Sequence, residues 1–253
     1  MCGRYSLRTS LADIGELFDA DVRVDEPGAR YNISPTETVP VVRAEGGRHE
    51  VVGLRWGLVP AWAKGPGDVP LMINARSESL DERPAFRDLL GTRRCVVPAD
   101  GFYEWRTEEG RRQPYHIRRR DGRPMALAAL WDRWDRLESV AVVTSDANEL
   151  LRPLHDRMPV VLSRDEALEW IDVEESDFER LRAFLRPCDP ERLEAFPVTP
   201  RVNRVGEDDP DCVAPLAEPV RDRAGWDVRP GPASPAADAQ LGLFREETAE
   251  RPR

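Results

Sequence analysis

The chain is 253 residues long, 40% hydrophobic and 33% charged, the composition of a soluble globular protein with one large domain or two small ones. Its net charge of −10 argues against a broadly basic protein that coats nucleic acid. No apolar run approaches the roughly 20 residues that span a bilayer, and Cys2-Gly3-Arg4 does not open a secretory leader, so a cytoplasmic protein with no membrane partner is expected.

Cys2 stands directly behind the initiator methionine. Removal of Met1 would leave an α-amine and a thiol on one terminal residue, with reference pKa values of roughly 8 and 8.5, so both nucleophiles are partly available near neutrality. An amine condenses with an aldehyde to a Schiff base, and a thiol so placed closes a five-membered thiazolidine on it, which no internal cysteine can do. The bland alternative is an unremarkable second residue. Lys64 is the only lysine among 37 basic residues, so amine chemistry on a carbonyl has only Lys64 and the chain terminus to use. An ordinary lysine, with a pKa of about 10.4, is almost wholly protonated near neutrality. Cys2, Cys95, Cys188 and Cys212 lie far apart with no C-x-x-C pair, so neither a metal site nor disulfides nor a cofactor is expected. Cys95, in Cys95-Val96-Val97, reads as core.

Arg4–Leu7 reads as a short strand, and Ser10 as the cap of a helix whose Leu11, Ile14, Leu17 and Phe18 share a face. Thr38–Arg43 and Glu50–Trp56 form a hairpin through Gly46-Gly47. The stretch Gly57–Gly67, punctuated by glycine and proline, is loop, and its Trp62 has no place in a strand or helix pattern. A short helix around Pro84–Leu90 and a strand over Arg94–Pro98 follow. Gln113–Arg118 and Pro124–Leu130 flank Asp121-Gly122, which predicts a second hairpin. Ser139–Thr144 is a buried strand, Asn148–Leu151 a short polar helix and Val160–Leu162 a strand. Ser163-Arg164-Asp165-Glu166 is a capping box, and Ser176–Leu185 is a further helix. The folded region, 2–221, is therefore expected to be one α+β domain built on a mainly antiparallel, barrel-like sheet with short flanking helices. Residues 222–253, rich in Pro, Ala and charge, are expected to be a disordered tail.

Five stretches place polar or aromatic groups where neither strand nor helix patterning wants them. They are Cys2-Gly3-Arg4-Tyr5, Trp56-Gly57-Leu58-Val59-Pro60-Ala61-Trp62, Asn74-Ala75-Arg76-Ser77-Glu78, Gly101-Phe102-Tyr103-Glu104-Trp105 and His155-Asp156-Arg157-Met158-Pro159. Together they resemble the SRAP family (SOS response-associated peptidases, the abasic-site-capturing proteins), from Met1 to about Val205. The resemblance implies a DNA-damage protein that captures abasic sites in single-stranded DNA. In that reading the Cys2 amine attacks the ring-opened sugar aldehyde and the thiol closes a stable thiazolidine. Glu104 and His155 would handle protons, and Asn74 would hold the Cys2 end and the substrate. Arg4, Arg76 and Arg157 would clamp phosphates, Thr144 would add a hydroxyl contact, and Pro35, Trp56 and Trp62 would stack or wedge against bases. Two other readings stay open: an N-terminal-cysteine peptidase using the same residues, and a passive single-strand or modified-base binder. The expected protein is a monomer associated with the nucleoid.

In the tail, Gln240-Leu241-Gly242-Leu243-Phe244 resembles the peptide with which bacterial proteins dock on the DNA sliding clamp. Gln240, Leu241, Leu243 and Phe244 are the expected contacts to that partner, since short apolar anchors in polar tails commonly fill partner grooves.

Overall fold

The computed structural model describes residues 2–108, 111–172, 177–222 and 224–227. In chain order the first strands are β1 (Tyr5–Leu7), β2 (Ala20–Val22), β3 (Arg30–Ile33), β4 (Thr38–Glu45), β5 (Arg48–Trp56), β6 (Asn74–Arg76) and β7 (Arg94–Ala99). They are followed by β8 (Gly101–Glu108), β9 (Arg111–Arg119), β10 (Met125–Trp134), β11 (Leu137–Asp146), β12 (Arg157–Pro159), β13 (Val161–Leu162) and β14 (Leu193–Pro197). The α-helices are α1 (Leu11–Phe18), α2 (Arg164–Ile171) and α3 (Phe178–Phe184).

One sheet runs in the order β14-β9-β8-β1-β3, the other β12-β11-β10-β7-β4-β5-β2. In the second sheet β11 also pairs in parallel with β5, at Ser139↔Arg55 and Val140↔Trp56, so β11-β10-β7-β4-β5 closes on itself. The expected α+β class and barrel-like, mainly antiparallel sheet are what the chain forms. Closure explains the long apolar runs. Cys95, Val97, Leu127, Ala129, Val140 and Val142 face the core shared with Tyr5, Phe102, Tyr115 and Ile117 of the first sheet. The alternate residues Val96, Ala128, Leu130, Ala141 and Val143 pack against α1 and α2 through Leu11, Ile14, Phe18, Ala167 and Trp170. A smaller cluster of Tyr103, Phe196, Val198, Val202 and Val213 covers the outer face of the first sheet.

Local chemistry sets the helix starts. Ser10 accepts the Asp13 N–H at 3.1 Å, and Ser163 forms the full capping box with Glu166, at 3.3 and 2.8 Å. Gly46 and Gly47, at φ 56° and 74°, make the β4–β5 turn that their sequence announces. The Asp121-Gly122 hairpin does not form: β9 pairs with β8 and β14, whereas β10 pairs with β7, β11 and β13. That turn hands the chain from one sheet to the other. The helix expected around Pro84–Leu90 is a single 3-10 turn, Arg87–Leu89, and Asn148–Leu151 is turn rather than helix.

Packing also runs past the boundary expected at 221. In the turn Ala224–Asp227, Trp226 is buried, meets Tyr115 edge-on at 4.9 Å and donates to Leu150 O at 2.9 Å. The expected disordered tail falls, beyond Asp227, outside the described residues, as do Met1 and the segment Gln240–Phe244.

Candidate active site

Cys2-Gly3-Arg4 leads into β1, which lies between β3 and β8. The register is Tyr5↔Phe102 and Ser6↔Gly101, and Tyr103 N–H donates to Arg4 O at 3.0 Å. Continuing that ladder brings residues 2 and 3 beside Glu104. The register is set by a close approach: Gly101 lies against the buried His116 ring, whose Nε2 is 3.0 Å from Ser6 Oγ. On the other side, β6 runs parallel to β11 with Asn74↔Val142 and Arg76↔Thr144, and Asn74 Nδ2 donates to Cys2 O at 3.0 Å. Two elements remote in sequence thus converge on Cys2.

The electrostatics follow from burial. Cys2 is 1% exposed, and burial, with the charge of Glu104 adding to it, pushes its thiol well above the ordinary range. Glu104, also buried, is raised to about 7, chiefly by loss of water around its carboxylate. A carboxyl poised there can give or take a proton near neutrality. Asn74 Oδ1 is buried without a hydrogen-bond partner among the described residues. Burial also holds His155 below its usual range, so the ring is neutral at pH 7. Its Nδ1 lies 2.9 Å from the Arg157 backbone N. Protonation of the ring would instead favour Asp156, whose Oδ1 lies 2.7 Å from the same nitrogen.

The expected DNA contacts divide. Trp62 is 62% exposed, Arg76 is exposed with no ion pair among the described residues, and Pro35 is half-buried in the turn after β3. Arg4 is half-buried, and its Nη1 donates to Asn32 Oδ1 at 2.8 Å and Val202 O at 2.7 Å. Three expectations need correction. Trp56 is 1% exposed, its indole N–H bonded to Ile73 O and its ring edge-on to Tyr5, so it offers no face to a base. Thr144 is fully buried between β6 and β12, with its hydroxyl turned toward Arg157. Arg157 is buried and held by Glu78 at 2.8 and 2.9 Å, Asp146 at 2.9 Å and Thr144 O at 2.6 Å, so it ties β11, β12 and the Glu78 turn together rather than presenting a phosphate clamp. Among the described residues no three His, Cys, Asp or Glu gather where they could hold a metal ion.

A cleft of about 390 Å³ beside Gly3 is lined by Arg4, Trp105, Arg112 and Asn203. Arg112 and Asn203 carry no motif signal, because only the folded sheet brings them to the terminus.

A sequence model of the family described as SOS response associated peptidase (SRAP) matches residues 1–205. The abasic site processing protein YoqW of Bacillus subtilis is 35% identical over 221 residues, which cover 84% of this chain and 99% of its own. YedK of Escherichia coli, named an abasic site processing protein too, is 31% identical over 226 residues, 85% of this chain and 100% of its own. A crystal structure of a protein from Bacteroides thetaiotaomicron superposes with a TM-score of 0.75 at 25% identity, over 85% of this chain and 99% of that one. On the match over residues 1–205 and the likeness to these relatives, the chain belongs to the SOS response associated peptidase (SRAP) family.

Proposed function

We propose that this protein processes abasic sites in single-stranded DNA by bonding to them through Cys2 once Met1 has been removed. The Cys2 α-amine adds to C1′ of the ring-opened deoxyribose aldehyde and water leaves, giving a Schiff base. The thiol then adds across the C=N bond, its proton passing to nitrogen, and a thiazolidine closes. One water is lost overall. The raised pKa of the buried thiol suits this order, because a neutral thiol does not compete with the amine for the aldehyde. Glu104, near its midpoint at pH 7, can protonate the sugar ring oxygen as the ring opens and take the proton from the attacking amine. His155, held below its usual pKa by burial, is the second acid–base group. Asn74 fixes the carbonyl of Cys2 and offers Oδ1 to the substrate. Holding amine, thiol and aldehyde together supplies the large rate gain of an intramolecular reaction. Trp62 and Arg76 are the exposed groups best placed by chemistry to meet base and phosphate.

The observation that supports this reading most is that a neutral amide and a carboxyl with a pKa of about 7 both bear on the terminal aminothiol. The test is mass spectrometry of the protein mixed with uracil-glycosylase-treated single-stranded DNA. The expected product has the mass of the chain without Met1, plus the DNA, less one water. Cys2→Ser keeps the amine but cannot form a thiazolidine, so its adduct should be labile. A chain that keeps Met1 and still forms the full stable adduct would end the proposal, and intact binding without any adduct would favour a passive binder.

A further inference from the structure

The cleft beside Gly3 belongs to no step described so far. Alternation along β8 puts Glu104 on the face of Phe102, toward the main core, and Trp105 on the opposite face with Tyr103. The cleft therefore opens on the outer face of the first sheet, at the same edge as Glu104, and Gly3, next in the chain to Cys2, lines it. Its walls are built. Trp105 Nε1 donates to Asn203 Oδ1 at 2.6 Å, which fixes the indole plane. In the β8–β9 register Thr107 faces Arg112 and Trp105 faces Pro114, so Arg112 sits diagonal to Trp105, within reach of a long side chain. Its guanidinium lies 5.5 Å from the indole centroid. Arg112 is exposed and makes no ion pair among the described residues, in a chain whose other basic side chains are widely paired. Arg4, across the cleft, is anchored through Nη1 alone in its direct hydrogen bonds to Asn32 and Val202. Two guanidiniums thus flank a concavity large enough for a nucleotide, in a protein whose net charge is −10.

We propose that this cleft is a phosphate subsite for the nucleotide next to the abasic sugar, with Arg112, preorganised on Trp105, as its principal contact and Arg4 as the second. The proposal rests on the abasic-site reading and deepens it. A guanidinium stacked on an indole has lost much of its rotamer freedom before the ligand arrives, so its planar fork meets a phosphodiester at reduced entropic cost. The charge of Arg112 also lowers the proton affinity of Glu104, so the subsite is coupled to the proton-handling group.

The test uses the full chain and a single-stranded oligonucleotide carrying tetrahydrofuran, which has no aldehyde, so binding is read apart from chemistry. A single uncharged methylphosphonate is moved through the phosphates on each side of the furan. Wild-type affinity should fall about tenfold at one flanking phosphate, the loss of one charge-assisted contact. Arg112→Ala should weaken binding to unmodified DNA by a similar factor and lower the slope of log K against log salt by about 0.7. It should lose nothing more when that phosphate is neutralised. Arg112→Lys should keep the slope but not the full affinity. Competition by inorganic phosphate separates a free-anion site from a backbone site, since only the former is blocked at concentrations near its own binding constant. Losses that are additive for Arg112→Ala at every phosphate, or an unchanged affinity, would overturn the subsite. Failure of wild-type protein to form an adduct with true abasic DNA would instead sink the parent reading and leave the furan measurements standing.

Discussion

At the scale of single residues, the carboxyl of Glu104 makes the site's demands measurable. Its folded pKa of about 7 lies above the ordinary 4.5, so the fold favours the protonated form. Below pH 4.5 the group is protonated in both states and no penalty exists. Between 4.5 and 7 the unfolded chain ionises first, and stability falls as pH rises; above 7 the full penalty, about 3 kcal/mol, is in place. Glu104→Gln removes that slope. The variant should match the wild type near pH 4.5 and exceed it by about 3 kcal/mol at pH 8 in urea unfolding, while losing abasic-site capture. Equal stabilities at pH 8 would show that the carboxylate is not desolvated. Cys2, Asn74 and Glu104 stood out in the sequence as groups that strand patterning does not explain, and the family resemblance supplied the roles expected of Asn74 and Glu104. The burial of Trp56, Thr144 and Arg157 was not legible there. A motif says which residue types are needed, whereas only the pairing of β6, β11 and β12 shows that Arg157 is spent on Glu78 and Asp146.

At the scale of elements, buried polar groups decide how helices and strands dock. Arg94, fully buried on β7, donates to Leu90 O, Gly91 O, Trp170 O and Asp172 O, and so satisfies carbonyls at the C-terminal end of α2. Arg94→Leu fills the volume but leaves those carbonyls without donors, and the urea midpoint should drop by an amount equal to about 3 kcal/mol or more. A second element-level device is Gly101. A Cβ there would stand 2.2 Å from His116 Nε2 and 2.8 Å from Ile117 O, both in the packed interior. Gly101→Ala must push β8 from β9 or β1, so it should slow adduct formation more than it weakens binding to furan DNA. Equal losses in both would argue that the β1–β8 register does not position Cys2. The same elements show why the Asp121-Gly122 hairpin was misread. A turn dipeptide reports that the chain reverses, but its flanking strands pair only if their edges are free, and β8 and β14 already occupy β9. The Gly46-Gly47 hairpin was legible because β4 and β5 had each other's edges to take.

At the scale of the whole molecule, one question is where the cooperative unit ends. Composition changes near Asp222, which set the expected boundary, yet a single aromatic outweighs the polar residues around it. Trp226 packs on Tyr115, beneath the β8–β9 pair that carries Glu104, and Arg106 lies over its ring at 5.4 Å while donating to Trp226 O at 3.2 Å. Ala195 and Val220 bridge the segment before it to β14, exchanging hydrogen bonds of 2.9 and 2.6 Å. Glu194, buried, is paired with Arg118 at 2.9 Å and Arg221 at 3.1 Å, so the chain leaves the sheet through a fixed exit and not a frayed one. A domain cut after Arg221 loses the indole and leaves Leu150 O without its donor, whereas one cut after Asp227 keeps both. Removal of a buried tryptophan from a packed core costs about 3 to 5 kcal/mol. The shorter domain should therefore unfold at a lower temperature than the longer one, by at least 6 °C if 3 kcal/mol is lost from a domain of this size, and Trp226→Ala in the longer domain should reproduce most of that drop. Because the indole lies against Tyr115, which faces Glu104 across the β8–β9 ladder, the shorter domain should also form its DNA adduct more slowly. Identical melting temperatures for the two domains would return the boundary to 221 and strip Trp226 of any part in holding the site.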